Sequence, residues 1–121
     1  MDLGLKNKVA FVAGGSQGLG KAVALEMARE GAQVAICALE DKSLPEAKDE
    51  IDGKLGTDVL AVAADLTDAL QAKNAIRKTI DRFGGVDVLI NNAGGPPGMS
   101  FSEIDDQLWE YGFRLNLLST I

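Results

Sequence analysis

Val9-Ala10-Phe11-Val12-Ala13-Gly14-Gly15-Ser16-Gln17-Gly18-Leu19-Gly20 is the stretch that decides how this chain folds. Five apolar residues in a row read as a strand buried on both faces. The residues after Gly20, from Lys21 to Glu30, read as an amphipathic helix. Between the two lies a glycine spacing of G-x3-G-x-G. Gly14 permits a tight turn, Gly18 lets backbone come close to an anion, and Gly20 lets the helix approach the sheet. A strand, a glycine turn and a helix N-terminus are the parts that hold a pyrophosphate. Taken alone, such a motif is also compatible with a loop that merely turns.

Outward from this stretch, strands and helices alternate. The first strand spans about Lys8 to Ala13, and the first helix about Gly18 to Glu30, stopped by Gly31. Helical spacing puts Gly20, Val23, Ala24 and Met27 on one face, with Lys21, Glu26, Arg29 and Glu30 opposite. A second strand is expected at Gln33 to Ala38, a helix at Ser43 to Leu55, and a third strand at Val59 to Ala64. The next helix runs from Asp68 to Phe83, with Ala72, Ile76, Ile80 and Phe83 as its apolar stripe and Gly84 as its stop. A fourth strand covers Val86 to Asn91, followed by a loop, Gly94-Gly95-Pro96-Pro97-Gly98. A last helix starts near Asp105 and runs to Ile121. Short apolar strands alternating with helices predict an α/β fold with a parallel, doubly wound, Rossmann-like sheet. Right-handed crossovers leave few alternatives, of which the order 3-2-1-4 is expected, with a ligand crevice between strands one and four.

Composition narrows the function. The 121 residues make one domain, 46% hydrophobic and 25% charged. The net charge of −6, without clustered Lys or Arg, argues against nucleic acid and anionic membrane as partners. No apolar run approaches the roughly 20 residues that span a bilayer. The first residues lack a signal-peptide pattern. A single cysteine, Cys37, makes no internal disulfide and fits a reducing cytoplasm. The chain has no histidine and no Cys/His constellation, so no metal is expected.

Two further segments lie where strands three and four end. Asp65-Leu66 follows strand three, and Asn91-Asn92-Ala93-Gly94 closes strand four. Singly, Asp65 reads as a helix-capping acid and Asn-Ala-Gly as a turn. Together with the glycine turn they form three signals at the ends of strands that face one crevice.

This combination, with Asn116, resembles the N-terminal half of a short-chain dehydrogenase/reductase, and most of all the oxoacyl-carrier-protein-reductase-like branch. The resemblance runs from about Leu5 to Ile121. It implies that residues 1–121 are the N-terminal part of one NAD(P)-binding domain. It also implies a cofactor set of Gly14, Ser16, Gln17, Gly18, Leu19, Gly20, Leu39, Asp65, Leu66, Asn92, Ala93 and Gly94. In that family the acid matching Asp65 meets the adenine, and the segment matching Asn91 to Gly94 lies beside the adenosine ribose. The asparagine matching Asn116 belongs to the catalytic set and orders a water for proton relay. The family usually has Thr where this chain has Ala13, which removes a hydroxyl that ties the turn to its neighbour.

The resemblance leaves the choice of cofactor open. An acid at the end of strand two would mark NAD, but that position is Ala38. The NADP branch often has Arg at the next position, here Leu39, and a base in the turn, here Gln17. Glu40 could reach a ribose and Lys42 a phosphate, and both also read as solvated charges. The missing acid at Ala38 tips the expectation slightly toward NADP.

The family's Ser, Tyr and Lys are not in this chain. Its one tyrosine, Tyr111, is followed four residues later by Leu115, and its last lysine is Lys78. Tyr111 is expected to pack beside Trp109 or Phe113. The C-terminal residues end apolar, without a helix stop, and read as a cut. The expected function is therefore the cofactor-binding portion of a short-chain oxidoreductase that moves hydride between nicotinamide and a carbonyl or alcohol. This portion is catalytically incomplete and expected to pair with a second copy or with its own downstream half. The alternative is a non-catalytic nucleotide-binding or assembly module. A methyltransferase on the same fold fits less well, because its acid after strand two is missing. Gly95-Pro96-Pro97-Gly98-Met99 lines the mouth of the site or is a rigid surface connection, and neither reading identifies a substrate.

Overall fold

The computed structural model describes residues 1–94 and 99–121. The elements are β1 (Val9–Ala13), α1 (Gly18–Arg29), β2 (Gln33–Ala38), α2 (Ser43–Leu55), β3 (Leu60–Ala63), α3 (Ala69–Phe83), β4 (Val88–Ile90) and α4 (Asp106–Phe113). A 3-10 turn at Phe101–Glu103 precedes α4, and a π-helical turn at Arg114–Leu118 follows it. All strand pairs are parallel, in the order β3-β2-β1-β4. The expected topology is therefore the observed one. Register brings the strand ends level, with Ala13 beside Cys37 and Ala38 beside Ala63. The residues that follow β1, β2 and β3 therefore emerge along one edge.

Strand alternation builds two cores. Ala10 and Val12 of β1 join Val34 and Ile36 of β2 beneath α1 and α2. Phe11 and Ala13 join Ala35, Cys37 and Val62 beneath α3. β1 is buried throughout, as its unbroken apolar run requires. The outer strands are not. β3 is buried only at Val62, and Leu89 of β4 is 50% exposed. Among the described residues each outer strand has a neighbour on one side only, and the expectation of burial on both faces holds for the central pair alone.

The helices meet the sheet through small residues. The fully buried positions of α1 are Gly20, Ala24 and Ala28, with Val23 and Met27 half-buried beside them. On α3 the buried positions are Ala75 and Thr79, not the expected Ile80, which is 44% exposed. Thr79 is tolerated there because its hydroxyl donates to the Ala75 carbonyl at 3.0 Å. Asp68 caps α3, accepting from the amides of Leu70 at 2.9 Å and Gln71 at 3.3 Å. Lys48 and Asp52 tie α2 to the start of β3. The Lys48 ammonium donates to the Val59 carbonyl at 2.7 Å, and Asp52 accepts the Val59 amide at 2.9 Å.

The last helix departs from expectation. It begins on schedule, with Asp105 accepting from the Leu108 amide at 2.8 Å. It stops being α-helical after Phe113. The Asn116 side-chain amide donates to the Gly112 carbonyl at 2.9 Å, and the Ser119 amide reaches back five residues to Arg114. A side chain that competes for a helix carbonyl loosens the ladder, and the turn widens. Among the described residues no helix is long and apolar enough to cross a membrane.

Cys37 lies at the centre of the sheet with no exposed surface. Burial pushes its thiol from the ordinary 9.0 up to about 11. The folded state keeps the proton that the unfolded chain releases above pH 9.0, so stability falls as pH rises from 9.0 toward about 11. Urea unfolding across that range should show a steeper loss in the native protein than in Cys37→Ala. Equal slopes would mean that the thiol is not desolvated.

Candidate functional site

The glycine turn is held by backbone. The amides of Gly14 and Gly15 both donate to the Cys37 carbonyl, at 2.8 and 3.2 Å. This tie between β1 and β2 is made although the hydroxyl expected at Ala13 is missing. Gly14 has φ +67, and a Cβ there would sit 2.3 Å from the Asn92 carbonyl oxygen. A Cβ on Gly20 would stand 2.0 Å from the Gly14 carbonyl oxygen. The turn, the first residues of α1 and the end of β4 are therefore in direct backbone contact, and only glycine fits.

This packing aims the N-terminus of α1 at the sheet edge. Gln17 occupies the N-cap position in extended conformation, with no side-chain cap bond, and the first turn holds no acidic residue. Uncapped N–H groups at a helix start form a site for an anion.

A cleft of about 390 Å³ opens beside it, at the switch between β1 and β4. Gly14, Ser16 and Gln17 form one wall. Leu39, Asp65 and Leu66 come from the ends of β2 and β3, and Asn92, Ala93 and Gly94 from the end of β4. The structure thus brings together most of the residues singled out in the sequence. Gly18, Leu19 and Gly20 are not in the lining. Leu19 is 78% exposed and borders an apolar surface groove with Leu3, Leu5 and Met27. Asn116 is also outside the cleft wall. It still abuts the cleft, since a Cβ on Gly94 would stand 2.8 Å from its Oδ1. Residues 95–98 of the glycine-proline loop lie outside the described residues, and Met99 is exposed.

Asp65 does not cap α3, a role that Asp68 fills. It accepts the amide of Thr67 at 2.9 Å and its hydroxyl at 2.6 Å, which fixes the carboxylate at the cleft. Asp41 is held in the same way, accepting the amide and the hydroxyl of Ser43. The Ser43 hydroxyl and amide hold the Asp41 carboxyl below the usual carboxylate range.

Sequence reading missed several wall residues. Asp41 lines the cleft, whereas Glu40 and Lys42 do not. A signal for Asp41 was available in Asp41-Lys42-Ser43, whose acid–hydroxyl spacing makes a local turn. Tyr111 and Leu115, one helical turn apart on α4 and its extension, also face the cleft. Tyr111 is therefore not simply a packing partner for Trp109. Trp109 pairs edge-on with Phe101, at 6.3 Å between centroids. No sequence signal fixes which way α4 faces.

A doubly wound parallel sheet with a glycine turn and a cleft at its switch point defines the architecture of a dinucleotide-binding α/β protein. Sequence comparison agrees. The profile of the short chain dehydrogenase family matches residues 8–121, and the chain belongs to that family. It is 40% identical over 113 residues to an uncharacterized oxidoreductase of Thermotoga maritima, covering 93% of this chain and 44% of that protein. Among solved structures, L-sorbose reductase from Gluconobacter frateurii, complexed with NADPH and L-sorbose, superposes with a TM-score of 0.91 at 33% identity. That match covers 99% of this chain and 46% of the reductase. An NADH-dependent reductase, A1-R', complexed with NAD, gives a TM-score of 0.86 at 33% identity, covering 99% of this chain and 50% of that one. The chain thus spans about half the length of these relatives.

The contact at Gly20 makes a sharp prediction. In an open helix, replacing glycine by alanine stabilises by roughly 0.5–1 kcal/mol. Gly53 of α2 has nothing within 4 Å of an added Cβ, so Gly53→Ala should follow that rule. Gly20→Ala should reverse it, because the methyl group meets a backbone oxygen at 2.0 Å. Denaturant titration of the two variants checks the sign, and a stabilised Gly20→Ala would mean that α1 does not pack on the turn.

Proposed function

We propose that this chain is the cofactor-binding portion of a short-chain oxidoreductase that uses NAD(P) to interconvert a carbonyl and an alcohol. The observation that carries this reading is the cleft itself, where the glycine turn, Asp65 and the Asn92–Gly94 segment meet at one sheet edge. The cradle fits a dinucleotide. Side chains are absent at Gly14 and Gly20, where backbone packs on backbone, and the N–H groups of α1 are left uncapped.

In this reading the turn from Gly14 to Gly20, with Ser16, Gln17 and Leu19, receives the pyrophosphate. Asp65 and Leu66 bound the adenine end, and Leu39 stands where the NADP branch often has Arg. Asn92, Ala93 and Gly94 lie beside the adenosine ribose as a close, uncharged wall. Asn116, held by its bond to the Gly112 carbonyl, orders a water for proton relay. The bound nicotinamide would supply the hydride. The proton donor of the family, a tyrosine four residues before a lysine, has no match within these 121 residues.

Completion of the site is assigned to a further part of the same polypeptide or to a second copy. What supports this is the α4 side of the sheet. Among the described residues β4 has a single hydrogen-bonded neighbour, and Leu89, Phe113, Leu117 and Leu118 are each about half exposed. A cytoplasmic location goes with this reading, since the one thiol is buried and unpaired. For the choice of cofactor, the absent acid at Ala38 leans toward NADP. The charge of the cleft wall, set by Asp41 and Asp65, leans the other way.

Titration with reduced nicotinamide cofactor, followed by its fluorescence, tests the assignment. The expected result is saturable binding that is lost in Gly14→Val. The 121 residues alone should not oxidise the cofactor with any carbonyl, whereas a longer protein containing them should. Binding without turnover at full encoded length would favour the non-catalytic module. Absence of binding would remove the cofactor assignment.

A further inference from the structure

Asp41 enters the cleft from the connection between β2 and α2, three residues beyond Ala38. Neither Ala38 nor Leu39 beside it offers a charge. The charged side chains in the cleft wall are Asp41 and Asp65. Among the described residues no lysine or arginine lines the cleft, and residues 95–98 are uncharged in the sequence. The bases nearby in the chain are engaged elsewhere or stand outside the wall. Lys21 holds Glu50 at 3.0 Å and Arg114 holds Glu110 at 2.7 Å, while Lys42 is not part of the lining.

We propose that Asp41 makes this site select NAD, whose adenosine ribose carries a free 2'-hydroxyl, over the 2'-phosphorylated NADP. The inference rests on the reading of the cleft as a nicotinamide-dinucleotide site. A ribose hydroxyl donates to a carboxylate, and an acid about 20 residues beyond the glycine turn serves this purpose in doubly wound folds. Asp41 lies 21 residues beyond Gly20 (41 − 20), so its spacing is right although it has left the strand end. Its Oδ1 accepts both bonds from Ser43, and a carboxylate has further acceptor positions to offer a ligand. A 2'-phosphate would bring about two negative charges beside Asp41 without a cation to receive them. Selection by repulsion of the wrong ligand is as effective as attraction of the right one.

The test uses the protein at the length its gene encodes, and calorimetry with ligands that carry only the adenosine end. The probes are 5'-AMP against adenosine 2',5'-bisphosphate, with NADH against NADPH as the parallel pair. The native protein should bind the unphosphorylated member of each pair at least about tenfold tighter. Asp41→Asn keeps an acceptor for Ser43 and removes the charge, so the preference should shrink at least about threefold with the thermal midpoint unchanged. Equal or tighter binding of the 2'-phosphorylated ligands overturns the inference and leaves the site standing. An unaltered preference in Asp41→Asn overturns the role of Asp41 in the same way. Failure of the folded native protein to bind any of the four ligands overturns the cofactor site itself.

Discussion

The carbonyl oxygen of Cys37 accepts two amides, from Gly14 at 2.8 Å and Gly15 at 3.2 Å, and the rest of the site depends on that junction. The two bonds fasten the turn after β1 to the end of β2, where a buried carbonyl would otherwise lack a partner. Once the turn is fastened, the Gly14 carbonyl stands so close to α1 that position 20 has no room for a side chain. The helix can start only there and only in that direction. Its uncapped N-terminus then faces the edge where β2, β3 and β4 also end. A single backbone junction thus sets the turn, the helix axis and the cleft.

The same local device places charge at two strand ends. Asp41-Lys42-Ser43 and Asp65-Leu66-Thr67 each set an acid two residues before a hydroxyl residue. In both, the carboxylate accepts the amide and the hydroxyl of that residue. Such a turn satisfies backbone and holds the acid in place without help from the core. The cleft wall gains two fixed negative charges, one from a residue that read singly as a helix-capping acid and one from a residue the sequence reading passed over. Their effect comes from being held on one opening from which cations are missing among the described residues.

The two faces of the sheet are finished to different degrees. Beneath α1 and α2, Ala24, Ala28, Ala47 and Ile51 close tightly on β1 and β2. On the other face α3 covers β1 to β3, but a groove of about 470 Å³ opens between α3, Leu89 of β4 and the π-helical turn. Phe11, Ile76 and Leu118 line it, so its surface is largely apolar. Asn116 sits in that turn, and its bond to Gly112 widens the helix where α4 passes the cleft.

Much of this was legible in the sequence, for reasons that are local. An unbroken apolar run can be buried only on both faces, so β1 and β2 were readable along with the parallel sheet they imply. Glycines spaced around a turn report backbone contacts, and Gly14 and Gly20 have them. Connection rules left few strand orders, and the expected one is the one observed. Tertiary structure decided the rest, because that depended on which surface each residue meets. Packing distance, not apolarity, chose Ala75 and Thr79 over Ile80 as the buried side of α3, since small residues bring a helix closer to a sheet. The rotation of α4 turned Tyr111 to the cleft and left Trp109 to Phe101, a choice with no periodic signal in so short a helix. Asp41, not Glu40 or Lys42, faces the cleft because the connection to α2 turns on Ser43. The sequence by itself determined the strands, their order and the glycine cradle, all products of short-range pattern and sterics. Only the tertiary structure decided which charges meet in the cleft, because that depends on where separate loops come together.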